Sequence, residues 1–191
     1  MSATLRSFVF CLLLTLCSIH FVQAQPNKGR FIKASIGYGI TLPLDEYNIT
    51  GSGFYTQGEY VIGIRKWFGI RPYAGVIFTS PNETVTDANL LQYKVTAKAF
   101  MIGGKARIVA PIPYVAPYFE LGLGTSIGSF ETYTPATHIK ANGVQFHVPF
   151  SIGLAIGKKH DFELEFTYYT YPSLEQVSGA MALGFTFPIN R

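Results

Sequence analysis

The chain has 191 residues, of which 15% are aromatic and only 14% charged, where a soluble domain carries about a quarter charged residues. The length suits one domain, and the charge deficit asks for an apolar solvent over part of its surface. A net charge of +4 with scattered basic residues offers no basic stripe for nucleic acid, so no such partner is expected.

Met1–Ala24 reads as a secretory signal peptide. Arg6 supplies the basic start, Phe8–Leu16 the apolar run, and Val22-Gln23-Ala24 the small-x-small cleavage site, leaving residues 25–191 as a single barrel domain. A lipoprotein signal with Cys17 as the lipidated residue is the alternative, and Leu16 is too large for its usual pattern. Both cysteines, Cys11 and Cys17, lie in the leader, so disulfides hold nothing in the mature chain. No later run of about 18 apolar residues follows, so any membrane span is built from strands.

Period-two alternation then recurs to the end of the chain. Strand one is predicted over Arg30–Leu42, with Ile32, Ile36, Tyr38 and Ile40 on one face and Lys33, Ser35 and Gly37 on the other. Pro43–Thr56 is a long polar connection. Strand two covers Gln57–Phe68 and places Glu59 and Arg65 opposite Tyr60, Ile62 and Ile64. After a turn at Gly69, strand three covers Ile70–Ser80, with Arg71, Tyr73 and Thr79 opposite Ala74, Val76 and Phe78. Pro81–Leu91 is the second long connection. Strand four, Gln92–Val109, changes phase: Tyr93, Val95 and Ala97 open one apolar frame, and Phe100, Ile102, Ala106 and Ile108 close in the other. A β-bulge near Lys98–Phe100 would reconcile the two frames.

Strand five covers Tyr114–Phe130, with Phe119, Leu121, Leu123 and Ile127 opposite Glu120, Gly122 and Ser126. Glu131–Asn142 is the third long connection. Strand six, Gly143–Gly157, is the most regular: Val144, Phe146, Val148, Phe150, Ile152, Leu154 and Ile156 alternate with Gln145, His147, Pro149, Ser151, Gly153 and Ala155. Pro149 lacks a donor within it, so a bulge or a local wide pair is expected there. Strand seven, Phe162–Tyr171, sets Glu163 and Glu165 opposite Leu164 and Phe166. Strand eight spans Gln176–Ile189. Connections alternate long and short along most of the chain.

Eight such strands close into an antiparallel up-and-down barrel. The lumen of a small barrel is just wide enough for side chains and cannot hold all the large apolar faces, whereas Gly, Ser, Thr and a few charges fit. The barrel is therefore apolar outside and polar inside, a transmembrane β-barrel. Val144, Phe146, Val148, Phe150, Ile152, Leu154 and Ile156 become a lipid-facing stripe. Tyr60, Phe78, Tyr93, Phe130 and Tyr168 are assigned to the long-loop aromatic girdle, and Phe68, Tyr114, Phe162 and Phe187 to the short-turn girdle.

On this architecture the chain resembles the small eight-stranded outer-membrane barrels of Gram-negative bacteria, the OmpX and OmpA-barrel type. The resemblance covers about Arg30–Ile189. It implies residence in the bacterial outer membrane, periplasmic short turns and termini, and long loops outside the cell. It implies outer-membrane lipids as neighbours and the barrel-assembly machinery as a partner in biogenesis, with Phe185 and Phe187 as the terminal aromatics, although Pro188-Ile189-Asn190-Arg191 follows them.

Lys33, Glu59, Arg65, Arg71, Glu120, Glu163 and Glu165 fall on the inward face, joined by Lys105 and Arg107 if the bulge exists. Buried charges require partners, and Glu163 and Glu165 lie within reach of Lys33 or Arg65, so these residues are read as ion pairs plugging the lumen. Nearby cations favour ion pairing over an acid–base or metal role for Glu163 and Glu165. No metal, cofactor or catalytic residue is assigned. His138, His147 and His160 have no metal-site spacing, and no His-x-Ser string of the lipid A deacylase type occurs. Strands four to six exceed the 9–11 residues of a span, and a projecting sheet edge can take an extended partner.

The function expected is therefore non-enzymatic: an envelope-structural or surface-interaction role for a monomer, with an extracellular protein or host surface as partner. A small-solute or apolar-ligand channel is the alternative, and a lipid A-modifying enzyme the more remote one. Basic residues such as Arg30, Lys66, Lys158 and Lys159 concentrate at the short-turn half and acidic ones such as Asp45, Glu83, Asp87 and Glu175 at the other, which suggests a basic rim against anionic headgroups.

Overall fold

A computed structural model describes residues 29–45, 49–82 and 93–189. The expected leader with Cys11 and Cys17, the stretch around Glu83 and Asp87, and Arg191 lie outside the described residues. Alternation without helical periodicity yields eight strands: β1 (Gly29–Pro43), β2 (Gly51–Gly63), β3 (Phe68–Pro81), β4 (Lys94–Val109), β5 (Val115–Tyr133), β6 (His138–Ile156), β7 (Phe162–Tyr171) and β8 (Gln176–Pro188). Each pairs antiparallel with its sequence neighbours, and β8 returns to β1, closing the barrel. No helix among the described residues is long and apolar enough to cross a membrane.

The wall is inside-out. Ile36, Leu123, Val144, Ile152 and Leu183 are about half exposed on the outer surface. Val144, Phe146, Ile152 and Leu154 of the β6 stripe are exposed, while Val148, Phe150 and Ile156 are half-covered by outer-face neighbours. The inner face carries the buried polar residues. Inward glycines make room for long side chains across the lumen. A Cβ on Gly184 would stand 2.7 Å from Lys33 Cε, and one on Gly153 would strike the Tyr118 ring.

Three expectations are corrected. β2 ends at Gly63, so Arg65 lies in the exposed turn Ile64–Trp67 and not in the lumen. The turn closes there because the amides of Ile64 and Arg65 both donate to the Phe68 carbonyl. The same shift puts Tyr60 opposite Ile32, at the short-turn end, and Phe54 at the upper end. Phe130 is also absent from the outer girdle: it points inward and is 1% exposed.

Second, β4 has no bulge. Its register with β3 runs unbroken through Phe78–Lys98, Ile77–Ala99 and Val76–Phe100, and odd residues face inward throughout. Lys105 and Arg107 are inward without any slip. The change of phase in the sequence is a change of surroundings: above Phe100 the lumen takes Val95, Ala97 and Ala99, and the outer face takes Lys94 and Lys98.

Third, Glu131–Asn142 is not a loop. β5 and β6 continue through it and turn only at 134–137. Thr134 makes that turn: its amide donates to the Thr137 carbonyl at 2.8 Å, and its Oγ1 accepts from the Thr137 amide at 2.9 Å.

Of the two outcomes expected at Pro149, a bulge or a local wide pair, there is no bulge but a local gap in the pairing. The β5–β6 register is the same on both sides of it, but the pairs Gly122–Pro149 and Leu123–Val148 are missing from the ladder. The β6–β7 ladder continues past it. The missing donor therefore faced β5, which means that odd-numbered amides of β6 face β5 and even-numbered ones face β7.

Candidate functional site

Two features stand apart from the generic wall: the filled lumen and the projecting upper end of β4–β6.

The lower lumen holds four cations, Lys33, Arg71, Lys105 and Arg107, and four carboxylates, Glu59, Glu120, Glu163 and Glu165, all at most 4% exposed. Inward parity on β1, β2, β3, β4, β5 and β7 brings them together, while β6 and β8 offer small residues such as Ser151, Ala155, Ala182 and Gly184. Arg107 makes a bidentate bond to Glu163, at 2.8 and 2.7 Å, and donates through Nε to Glu120 at 2.5 Å. Its guanidinium lies 3.4 Å from the centroid of the Tyr118 ring. Arg71 donates to Glu59 at 2.9 Å. Lys33 pairs with Glu165 and reaches Glu163 at 3.0 Å and Glu59 at 3.5 Å.

Carboxylate oxygens of Glu59, Glu120 and Glu165 lie within 4.8 Å of one another, a spacing that suits a cation. The Lys105 ammonium supplies it, at 2.7 Å from Glu59, 2.7 Å from Glu120 and 3.8 Å from Glu165. Tyr118, Thr167 and Gln57 donate into the same carboxylates. Opposite charges are thus equal in number and interlocked, the condition under which buried charge is tolerable. Of the predicted interior set, only Arg65 lies elsewhere.

Above this tier the chemistry changes. His147 is fully buried, with Nδ1 at 2.8 Å from Ser126 Oγ and Nε2 at 2.5 Å from Tyr73 Oη. Ser126 also bonds Tyr171 at 3.0 Å, and the Tyr55 and Tyr169 hydroxyls meet at 2.9 Å. Ile77, Met101, Phe130 and Leu174 fill the rest. Alternation alone finds His147 but not its partners, since Ser126 and Tyr73 sit on strands remote from it in sequence. The Ser–His pair is packed on three sides by Tyr73, Tyr169 and Tyr171, and it braces the lumen. Across the top, Thr132 donates to Gln176 at 2.7 Å beneath buried Leu174.

The second feature is the upper end of β5 and β6, 19 residues each, beside β4 with 16. A tilted span needs about 9–11. β6 pairs with β7 only from Val148 downward. Over His138–His147 its β7 side has no strand partner among the described residues. The parity fixed by Pro149 means that the amides of His138, Lys140, Asn142, Val144 and Phe146 face this open edge. The outer surface of the extension is charged: Glu131 pairs with Lys94 at 3.0 Å and lies 3.9 Å from Lys140. Tyr133 stacks between Tyr93 and His138. Below, Thr134 donates to Asp45 at 2.5 Å, Thr137 to Glu175 at 2.9 Å and Ser173 to Gln145 at 2.9 Å. The extension is therefore a tied-down sheet leaning over the barrel mouth.

No protein-family model and no curated protein matches this sequence. Solved structures do match. The crystal structure of Neisserial surface protein A shares 12% identity over 84% of this chain and 97% of that chain, with a TM-score of 0.57. The N-terminal β-barrel domain of Pseudomonas aeruginosa OprF shares 11% over 86% and 100%, with a TM-score of 0.48. Ail, the attachment invasion locus protein of Yersinia pestis, shares 17% over 83% and 99%, with a TM-score of 0.46. At these identities the likeness is one of fold.

Proposed function

Starting from a chain with the fold of the small eight-stranded outer-membrane barrels, we propose that this protein is an integral outer-membrane protein whose projecting β4–β6 sheet engages an extracellular partner. The partner is an extended polypeptide segment that pairs with the open edge of β6. The observation that carries this is the row of even-numbered amides from His138 to Phe146, which face the side where β7 has ended. Unpaired edges of this kind recruit strands unless they are blunted. Lys140 and the bend at Gly143 (φ +99°) keep this one from pairing indiscriminately with other copies. The short turns face the periplasm, and Phe185 and Phe187 at the end of β8 face the lipid as the terminal aromatics for assembly.

The lumen supports a non-conducting role. Its lower tier is a closed network of ion pairs and its upper tier a packed layer of aromatics, so the plug rather than a pore is the reading adopted. Planar-bilayer recording is expected to show no discrete openings, and steady unitary steps would favour the channel instead. The edge is tested by Lys140→Pro, which removes one of the outward-pointing amides and leaves the β5 ladder whole. Whole-cell binding to a host-cell monolayer is expected to fall to the level of cells lacking the protein. Undiminished binding by a correctly inserted Lys140→Pro barrel would overturn strand pairing as the mode of contact.

A further inference from the structure

The short-turn mouth of the barrel contains a cavity of about 40 Å³, walled by Arg71, Arg107, Lys159, His160, Glu163 and Thr186. One water needs roughly 10–15 Å³ of such space, so the cavity has room for one small ion with a water beside it, and for nothing as large as a lipid headgroup. Three buried polar atoms that lack a hydrogen-bond partner belong to its walls: Arg71 Nε, His160 Nδ1 and Thr186 Oγ1. Their residues are 4%, 3% and 7% exposed. Orphaned atoms are rare in folded proteins, and three around one space point to something that fills it.

Phe31, Val61, Val109 and Ala155 form the apolar part of the wall, and its polar part sets donors from Arg71, Lys159 and Thr186 beside the acceptors Asp161 and neutral His160. Arg71 Nε can only donate, and the Glu120 carboxylate oxygen beside it is 3.6 Å away. The Thr186 hydroxyl and the Lys159 ammonium also donate. Glu163 is already engaged: Arg107 takes both of its oxygens, and Lys33 stands at 3.0 Å. Among the charged groups that line the cavity, Arg71, Arg107 and Lys159 outnumber Asp161 and Glu163 by one.

His160 is placed there by the backbone. It holds φ +56° in the β6–β7 turn, a left-handed conformation that histidine enters more readily than most side chains, and its ring turns inward where a turn residue would ordinarily face water. Its Nε2 donates to the Ile112 carbonyl at 3.1 Å. Nδ1 is therefore the free nitrogen, a bare acceptor in the neutral ring and a donor in the imidazolium.

We propose that this mouth binds a small monovalent anion of halide or formate size, held by Arg71 Nε, the Thr186 hydroxyl and Lys159, with protonated His160 as an additional donor. Burial holds His160 below the ordinary histidine range, against the pull of the Ile112 hydrogen bond, Asp161 and Glu163. The groups facing it are Lys159 and Asp161 on its own turn, Glu163 on β7, Arg71 on β3, Arg107 on β4 and Thr186 on β8. An anion at Nδ1 favours the imidazolium, so binding takes up a proton. Affinity then rises as pH falls through the histidine range, by at most about tenfold per pH unit.

The test uses the full mature barrel folded in non-ionic detergent. Its urea midpoint is read in chloride, bromide, formate, gluconate and sulfate at one ionic strength, at pH 8 and pH 5.5. Chloride, bromide and formate are expected to raise the midpoint relative to gluconate and sulfate, and to do so more at pH 5.5. Thr186→Val should remove the small-anion increment at both pH values, and His160→Asn should remove its pH dependence. Crystals grown in bromide should show anomalous density beside Arg71 Nε. Equal midpoints in chloride and gluconate, or density for water only in the bromide crystals, would overturn the assignment. An increment that persists in Thr186→Val at a mouth shown empty of bromide would place the ion elsewhere and equally refute it.

Discussion

The lower and upper halves of β4, β5 and β6 are built on opposite rules. In the lower half the outer face is Ile102, Leu121, Leu123, Ile152 and Leu154, and the inner face is Lys105, Glu120 and Ser151. In the upper half the outer face is Lys94, Glu131 and Lys140, and the inner face is Val95, Phe130, Ile139 and Ala141. The register runs straight through on all three strands, with a positive φ only at Gly143 of β6. What changes is the solvent outside. Hydrocarbon demands an apolar exterior and leaves the polar groups to pair within, while water permits charges outside and lets the interior become a small conventional core. The crossover lies near Phe100 on β4 and Val144 on β6, and on the proposed outer-membrane reading it is the upper membrane boundary.

The comparison breaks most readily in the lower half. Lys105→Met is expected to cost about 3–5 kcal/mol, because Glu59 and Glu120 would remain buried without the cation between them. Arg65→Met, by contrast, should stay within about 0.5 kcal/mol, since Arg65 stands in water at the turn. Urea titration of the folded barrel in vesicles measures both. Comparable losses in the two variants would mean that the ionic tier does not behave as buried.

Less severe is Gly124→Ala. The added methyl would meet the Tyr73 hydroxyl and His147 Nε2, the latter at 2.6 Å, and forcing them apart costs about 1–3 kcal/mol. The same assay reads it, and a Gly104→Ala control, whose methyl would enter open space, should show no clash. A weaker effect is expected at the rim. Reversing Lys66 and Lys158, both exposed in short turns, should lower the partition into phosphatidylglycerol-containing vesicles by about 1 kcal/mol per residue and leave phosphatidylcholine vesicles unaffected.

The reversal of rules also explains what could be read from the sequence. Where lipid is the solvent, alternation is steep, and Ile32 to Ile40, Val144 to Ile156 and Phe162 to Tyr168 announce strands, facing and closure. The inward charges followed by parity alone. Where water lies outside the strand the contrast fades: Glu131-Thr132-Tyr133-Thr134 reads as loop because its buried inward residues, Thr132 and Thr134, are themselves polar. The same fading made β4 look dislocated, since Val95 and Ala97 are apolar on the inner face and Phe100 and Ile102 on the outer. Arg65 was misplaced for a local reason. Ile64 and Phe68 extend the alternation of β2 by chance, and only the hydrogen bonds from Ile64 and Arg65 to Phe68 end the strand. The Ser126–His147–Tyr73 bridge joins three strands, and one-dimensional patterns do not carry cross-barrel distances.

The smallest stability effect belongs to the upper half, and there stability and function should separate. Lys140 donates no bond to β5, because even-numbered amides of β6 face the opposite side, and β7 has ended below it. Proline suits edge strands whose amide points to solvent, so Lys140→Pro should change the urea midpoint by no more than about 0.5 kcal/mol. The odd-numbered neighbour gives the contrast. Ala141 pairs with Phe130 and directs its amide at β5, so Ala141→Pro opens the projecting hairpin and should cost about 1 kcal/mol or more for the lost ladder bond. If partner binding follows the edge, Lys140→Pro abolishes it in a barrel of native stability. Equal destabilisation by the two prolines would show that the even-numbered amides are engaged after all, and that the open edge of β6 is closed in solution.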